Sequence, residues 1–174
     1  MNHIGTHDTE RAITRLAGEN PDGHDRAWQF EHNTLSEFDY LKGISMMKIA
    51  SLIQFTLPGV PSIYYGDEIC MQGMKDPFNR GCMPWNKPNE ELLKWYKRLG
   101  QIRHSSKAFI DGDFEKLYCD GGVIAYSRSS EGDNILVAIN NSNEQNRQRF
   151  SRQKANKNYP TVFRQIYAFA HLNY

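Results

Sequence analysis

Cysteine is scarce: Cys70, Cys82 and Cys119 are an odd set in 174 residues, with no C-x-x-C pair among them. That usage argues against a zinc site and against a disulfide framework, and it fits a reducing, cytoplasmic compartment. No apolar run approaches the ~20 residues a spanning helix needs. The polar start lacks the apolar stretch of a secretory signal, so no membrane partner is expected. No charge excess exists overall, the formal net charge being +1, and nothing global calls for nucleic acid. Acidic residues do run out locally. From Asn146 onward Arg147, Arg149, Arg152, Lys154, Lys157 and Arg164 stand without any Asp or Glu, a basic tail on an acidic body. With 39% hydrophobic and 24% charged residues, the chain is that of a globular protein able to bury a core.

Two polar-rich stretches stand out against this background. Near the start, Asn2-His3-Ile4-Gly5-Thr6-His7-Asp8-Thr9-Glu10-Arg11 packs titratable side chains around a glycine. Further on, Gly59-Val60-Pro61-Ser62-Ile63-Tyr64-Tyr65-Gly66-Asp67-Glu68 reads as a short buried strand that opens into a loop at its polar end. On such a strand Tyr64 and Tyr65 point to opposite faces. Chemistry gathers where such strands end.

In chain order, Ala12, Ile13 and Leu16 predict a short helix behind His7 and Asp8, and residues 18–23 predict a turn through Asn-Pro and Asp-Gly. A polar connector reaches Asp39. From Tyr40 to Leu57 the residues Leu41, Ile44, Met47, Ile49, Leu52, Ile53 and Phe55 give a broad apolar helical face that Pro58-Gly59 stops. Helix, tight turn and buried strand in that order form an α-to-β unit of a mostly parallel sheet. One strand makes no sheet, so the other strands are expected upstream of Met1. A long loop to Pro88 follows, with Trp85 expected inside, and loops of that length tend to be functional. Residues 90–104 predict an amphipathic helix with Leu92, Leu93, Tyr96, Leu99 and Ile102 inward and Lys94, Lys97, Arg98 and Arg103 outward. Alternation then replaces helical spacing. Residues 113–118, 122–128 and 134–140 read as three strands joined by Asp120-Gly121-Gly122 and Glu131-Gly132-Asp133. The expected domains are 1–108, 109–143 and a basic tail at 144–174, read as an abnormal, out-of-frame end.

His-Asp followed by Thr-Glu-Arg, and later Gly-Val-Pro-Ser-Ile-Tyr-Tyr-Gly-Asp-Glu, resembles the late motifs of the α-amylase superfamily of glycoside hydrolases, family 13. Lys75-Asp76-Pro77-Phe78-Asn79-Arg80 with Pro84-Trp85 looks like its neopullulanase, cyclomaltodextrinase and maltogenic amylase branch. The resemblance covers about residues 2–141. It implies α/β then all-β architecture: the C-terminal part of a (β/α)8 TIM barrel followed by the start of an antiparallel β-sandwich domain. It implies that Asp8 is the carboxylate that stabilises the transition state, that His7 hydrogen-bonds the sugar, and that Asp76 and Arg80 line a neighbouring glucose subsite. Gly81 and Cys82 depart from the branch, which has a second basic residue and a proline there. Asp67 and Glu68 are expected to fix the loop after the eighth strand, through backbone N–H groups or nearby basic residues. The family's nucleophile and acid/base lie on earlier strands, and neither motif is in this chain, which alone is expected to be inactive.

The implied partner is an α-glucan oligosaccharide, with no cofactor, no metal and a full-length protein able to pair as a homodimer. Two other classes stay open. The three strands could serve a carbohydrate-binding accessory module. His3, His7 and Asp8 could ligate metal as in the HD phosphohydrolases, although those are all-helical and this chain turns to strands after Phe109.

Overall fold

The structure, a computed structural model, describes residues 1–142 and the backbone of Phe163–Phe169. Helix α1 (Ala12–Ala17) ends at Gly18, which takes a left-handed conformation that a side chain would strain and donates its N–H to Arg15 O at 3.0 Å. Helix α2 (Arg26–Glu31) lies where the sequence predicts only a connector. Six residues are too few for apolar periodicity to show. The helix rests instead on Asp25, whose carboxylate accepts the Trp28 N–H, and on the Trp28 ring stacked between His24 and His32 at 3.6 and 4.0 Å. Helix α3 (Glu37–Thr56) starts before the expected Tyr40 because Ser36 and Asp39 bond reciprocally: Ser36 Oγ accepts the Asp39 N–H and donates to Asp39 Oδ2.

Helix α3 is the spine. It crosses α1 at Gly43, where a Cβ would stand 2.7 Å from Ile13 Cγ1, so only glycine lets the helices approach this closely. Its buried Ile44, Met47, Leu52 and Phe55 share a core with Leu92, Tyr96 and Leu99 of α4 (Glu90–His104), whose bounds are those the sequence predicts. Leu41, expected on that apolar face, is exposed. It sits in the first turns of α3, away from the Gly43 crossing, where its side faces solvent. Arg103, expected outward, turns back: it donates to Phe55 O at 2.7 Å and Gly59 O at 2.6 Å, meeting carbonyls that the end of α3 leaves unpaired.

The strand expected after Gly59 does not form as a ladder. Pro61 alone bridges Asn2, in parallel, with Asn2 N–H to Val60 O and Ser62 N–H to Asn2 O both at 2.7 Å. Gln54 clamps this bridge by donating to Asn2 O at 3.2 Å and Ser62 O at 2.7 Å. A strand is a tertiary contact whose hydrogen bonds need neighbours, and among the described residues only Asn2 comes alongside. Ile63, expected in a buried strand, stays 44% exposed, and Tyr65 is 40% exposed. No barrel sheet is present among the described residues.

The following loop is ordered by earlier elements. Leu35 N–H bonds Gln72 Oε1 at 2.7 Å, Met74 N–H bonds Asn33 Oδ1 at 2.9 Å and Gly73 N–H bonds Thr14 Oγ1 at 3.1 Å. Short 3₁₀ turns cover Asp67–Ile69 and Phe78–Arg80. Met74 is buried, whereas Trp85 is 81% exposed, contrary to expectation. Residues 85–87 run along the surface, and an aromatic outside any periodic pattern carries no signal of which side it faces.

Strands β1 (Asp113–Asp120), β2 (Val123–Ser130) and β3 (Asp133–Asn140) form an antiparallel meander through glycines with positive φ at 121, 122 and 132. The backbone of β4 (Phe163–Phe169) pairs parallel with β3, completing the order β1-β2-β3-β4. Apart from that backbone, the reading of 144–174 as an abnormal tail lies outside the described residues. One sheet face, with Tyr126, Ile135, Val137 and Ile139, joins the helical core beside Ala108 and Phe109. The join is also polar. Tyr126 Oη lies 2.6 Å from Thr56 Oγ1, and Arg128 donates to Thr56 O and Gly112 O at 3.0 Å each. Burial pushes the Tyr126 hydroxyl up to about 12 and holds the Arg128 guanidinium below its usual value.

Candidate functional site

After the bridge at Asn2 the chain leaves extended geometry and loops through residues 6–11 to the start of α1. His7 and Asp8 sit on this loop with Nε2 and Oδ1 3.2 Å apart, and both side chains are largely exposed. Thr6 Oγ1 accepts the Asp8 N–H at 3.2 Å, an Asx/ST-type turn that sets the loop locally.

The turn at Phe78–Arg80 closes on the same loop from far along the chain. Asn79, fully buried, donates from Nδ2 to His7 O at 2.8 Å and Thr9 O at 2.6 Å. Arg80 Nε reaches His7 O at 3.3 Å and Asp76 Oδ1 at 2.8 Å. Residues His7, Asp8, Asp76 and Arg80 therefore share one exposed surface, although His7 and Arg80 are 73 positions apart. An imidazole and a carboxylate beside an Asp–Arg pair offer donors and acceptors together. Such a surface can grip hydroxyl groups and present negative charge at one point.

A buried layer lies behind it. Arg11 is fully buried, with its guanidinium carbon 4.3 and 4.4 Å from the ring centroids of Tyr64 and Tyr65. The two rings lie 4.8 Å apart, edge to face. They do not alternate across a strand as expected, because the segment is not held in a ladder and both rings settle on the same cation. Arg11 Nη1 donates to Tyr65 O and lies 3.9 Å from Asp67 Oδ1. Burial pushes the Asp67 carboxyl up to about 7, overriding the pull of Arg11, and the neighbouring Glu68 adds to the rise. Burial, together with the hydrogen bond to Tyr65, also raises the Tyr64 hydroxyl above its usual value. Both Asp67 oxygens and Glu68 Oε2 are buried without a hydrogen-bond partner among the described residues. Asp67 thus faces a basic residue rather than backbone N–H groups.

His3 is exposed and joins none of this. Among the described residues no three His, Cys, Asp or Glu side chains stand together as metal ligands, and no helix is long and apolar enough to cross a membrane. Asn79 and Arg11 escaped the sequence reading. Arg11 left a signal: a cation directly ahead of the apolar Ala12-Ile13 and a fixed step after His7-Asp8.

Comparison with known proteins gives this geometry a context. Residues 112–160 match the model of the α-amylase C-terminal domain. The chain is 37% identical over 147 residues to a cyclomaltodextrinase from Thermoanaerobacter pseudethanolicus, covering 83% of this chain and 21% of that protein. It is 36% identical over 128 residues to an amylopullulanase from Thermoanaerobacter thermohydrosulfuricus, covering 74% and 8% respectively. Among solved structures, a cyclomaltodextrinase superposes with a TM-score of 0.64 at 32% identity, over 82% of this chain and 21% of that one. The chain spans about a fifth of the length of the cyclomaltodextrinases it matches. With a maltogenic α-amylase from Bacillus acidopullulyticus and neopullulanase 2 from Thermoactinomyces vulgaris also among its relatives, the chain belongs to the α-amylase superfamily of glycoside hydrolases, family 13, and is of the neopullulanase and cyclomaltodextrinase kind.

Proposed function

We propose that the chain is the C-terminal part of a retaining α-glucan hydrolase that cleaves α-glucosidic bonds in maltodextrin, cyclodextrin or pullulan-type substrates. Residues 1–108 carry the last strands and helices of a (β/α)8 barrel, and 109–143 begin the C-terminal β domain. The edge at Asn2 and Pro61 is where further barrel strands pair, and Met1, Val60 and Ile63, exposed beside it, are the side chains those strands cover.

Asp8 stabilises the transition state, His7 hydrogen-bonds the sugar in the cleavage subsite, and Asp76 with Arg80 lines the neighbouring one. Asp67 and Glu68 hold the loop behind them. A carboxylate beside a developing oxocarbenium ion gains attraction as positive charge grows, so it favours the transition state over the ground state. Retaining hydrolysis also needs a nucleophile and an acid/base ~5 Å apart, and this chain has neither motif. The observation that carries the reading is the convergence of Asp76 and Arg80 on the His7–Asp8 loop through Asn79 and Arg80, both bonded to His7 O.

The test uses the purified chain with maltoheptaose, β-cyclodextrin and pullulan. Reducing ends should not accumulate, while saturation-transfer NMR should show contact with maltoheptaose that weakens in Arg80→Ala. Stoichiometric turnover by pure chain would refute the division of labour. Absence of any transfer, or transfer indifferent to Arg80→Ala, would refute the glucan site.

A further inference from the structure

We propose that Arg11 and Asp67 are the positioning residues of the His7–Asp8 loop, and that Arg11 sets its geometry by locking it to Tyr64, Tyr65 and Asp67. Both ends of the loop meet this pair. At one end Gly5 packs on the carboxylate so closely that a Cβ would stand 2.9 Å from Asp67 Oδ2. At the other, Arg11 itself ends the loop, its backbone N–H bonded to Gly73 O at 2.8 Å and its Nη1 to Tyr65 O. The circuit closes on the far side. Tyr65 Oη donates to Gly81 O at 2.8 Å, and the adjoining Asn79 holds His7 O and Thr9 O. Residues 5–11, 64–67 and 79–81 thus form one ring of contacts with the Arg11 guanidinium at its hub.

Stability alone is a poor reason for this arrangement. Arg11 Nε and Nη2 and both Asp67 oxygens are buried without hydrogen-bond partners among the described residues, and apolar groups of similar volume would avoid that cost. What the pair supplies is direction. A planar guanidinium against two rings has few orientations open to it, unlike a lysine ammonium, so it fixes the rings, the carbonyl of Tyr65 and its own backbone together. Neither Arg11 nor Asp67 can touch a ligand on the exposed face, since both are buried, and each acts through the residues it holds.

The experiment compares Arg11→Met, Arg11→Lys and Asp67→Asn with wild type in the full chain, by amide hydrogen exchange and by maltoheptaose titration. Arg11→Met should speed exchange at 5–9 and 79–82 by about tenfold or more while α4 and β1 to β3 keep wild-type protection. Lysine should restore only part of it. Affinity for maltoheptaose should fall by about tenfold in Arg11→Met with the circular dichroism unchanged. The affinity readout rests on the glucan reading and the exchange readout does not. Faster exchange at 5–9 with no maltoheptaose binding even in wild type would keep the positioning role and sink the glucan reading. Unchanged exchange at 5–9 would overturn the proposal whatever the titration gives. Should Arg11→Met unprotect the whole chain, Asp67→Asn decides: a selective rise at 5–9 supports the positioning role, and a global rise or none overturns it.

Discussion

Arg128 joins the strand domain to the helices, and replacing it with methionine measures that join. Its guanidinium, 1% exposed, donates to Thr56 O, the last residue of α3, and to Gly112 O before β1, each at 3.0 Å. Two hydrogen bonds from a charged donor contribute ~1.5–3 kcal/mol each, about 3–6 kcal/mol together. Against that stands the desolvation of a guanidinium whose Nε finds no partner among the described residues, a cost of ~1–2 kcal/mol that methionine removes. The expected loss for Arg128→Met is therefore about 1–5 kcal/mol. Equilibrium urea unfolding followed by tryptophan fluorescence and by far-ultraviolet circular dichroism reads it. Both probes should move to lower urea, and their transitions should separate, because Trp28, Trp85 and Trp95 all precede the sheet and report the helical part. Arg98→Met, on the exposed side of α4, serves as the control and should stay within ~0.5 kcal/mol of wild type. If Arg128→Met matches that control, the polar join contributes nothing and the sheet is held by its apolar face alone.

Other outcomes follow from the same contacts. Gly43→Ala should destabilise by up to about 2 kcal/mol in urea melts, since ~1–3 kcal/mol of overpacking against Ile13 is set against the ~1 kcal/mol that alanine gains in a helix; a stabilising result would show that α1 can slide. Asp67, raised by burial from 3.8 to about 7, keeps a proton in the folded chain that the unfolded chain releases, so its contribution is full at low pH and is lost as pH rises toward 7. At ~1.4 kcal/mol per pH unit this amounts to about 4 kcal/mol, and Asp67→Asn should flatten the fall in stability between about pH 4 and 7, as urea melts across that range would reveal. Iodoacetamide at mild alkaline pH should label Cys82 and Cys119 in the native chain and spare Cys70, which is buried with its thiol pushed up to about 12; labelling of Cys70 at the same rate would mean that α4 and the Asp67–Ile69 turn open readily.

How much of this could be read from the sequence depends on how local each determinant is. Helix α4 was legible because its apolar spacing lies within one stretch, and the Asn89 cap on the Leu92 N–H that the structure adds is local too. The meander was legible for the same reason: alternation fixes each strand, and Gly121, Gly122 and Gly132 supply the turns. Helix α2 failed the test of length, and its stabilising His24–Trp28–His32 stack is a side-chain pattern no hydrophobic period encodes. The segment after Gly59 failed for a different reason. Its composition is that of a strand, but a ladder exists only where neighbours lie beside it, and here Asn2 alone does.

The candidate site divides along the same line. His7, Asp8, Asp76 and Arg80 stand in motifs that the sequence displays, and the structure brings them onto one exposed surface. Arg11 and Asn79 touch only protein, and their roles lie in bonds to carbonyls some 54 and 72 positions away. Nothing in the sequence around them names those carbonyls. Even so, a charged residue at the head of an apolar helix must either snorkel to water or find a buried partner. Both charges here find a partner: Glu10, itself buried, is met by the half-exposed Arg15, and Arg11 by Tyr64, Tyr65 and Asp67. The Tyr-Tyr-Gly-Asp stretch sets a carboxylate close to two aromatic side chains, the company a buried guanidinium needs. The basic residue expected beside Asp67 is thus the cation of the other motif, and the pair joins the two stretches.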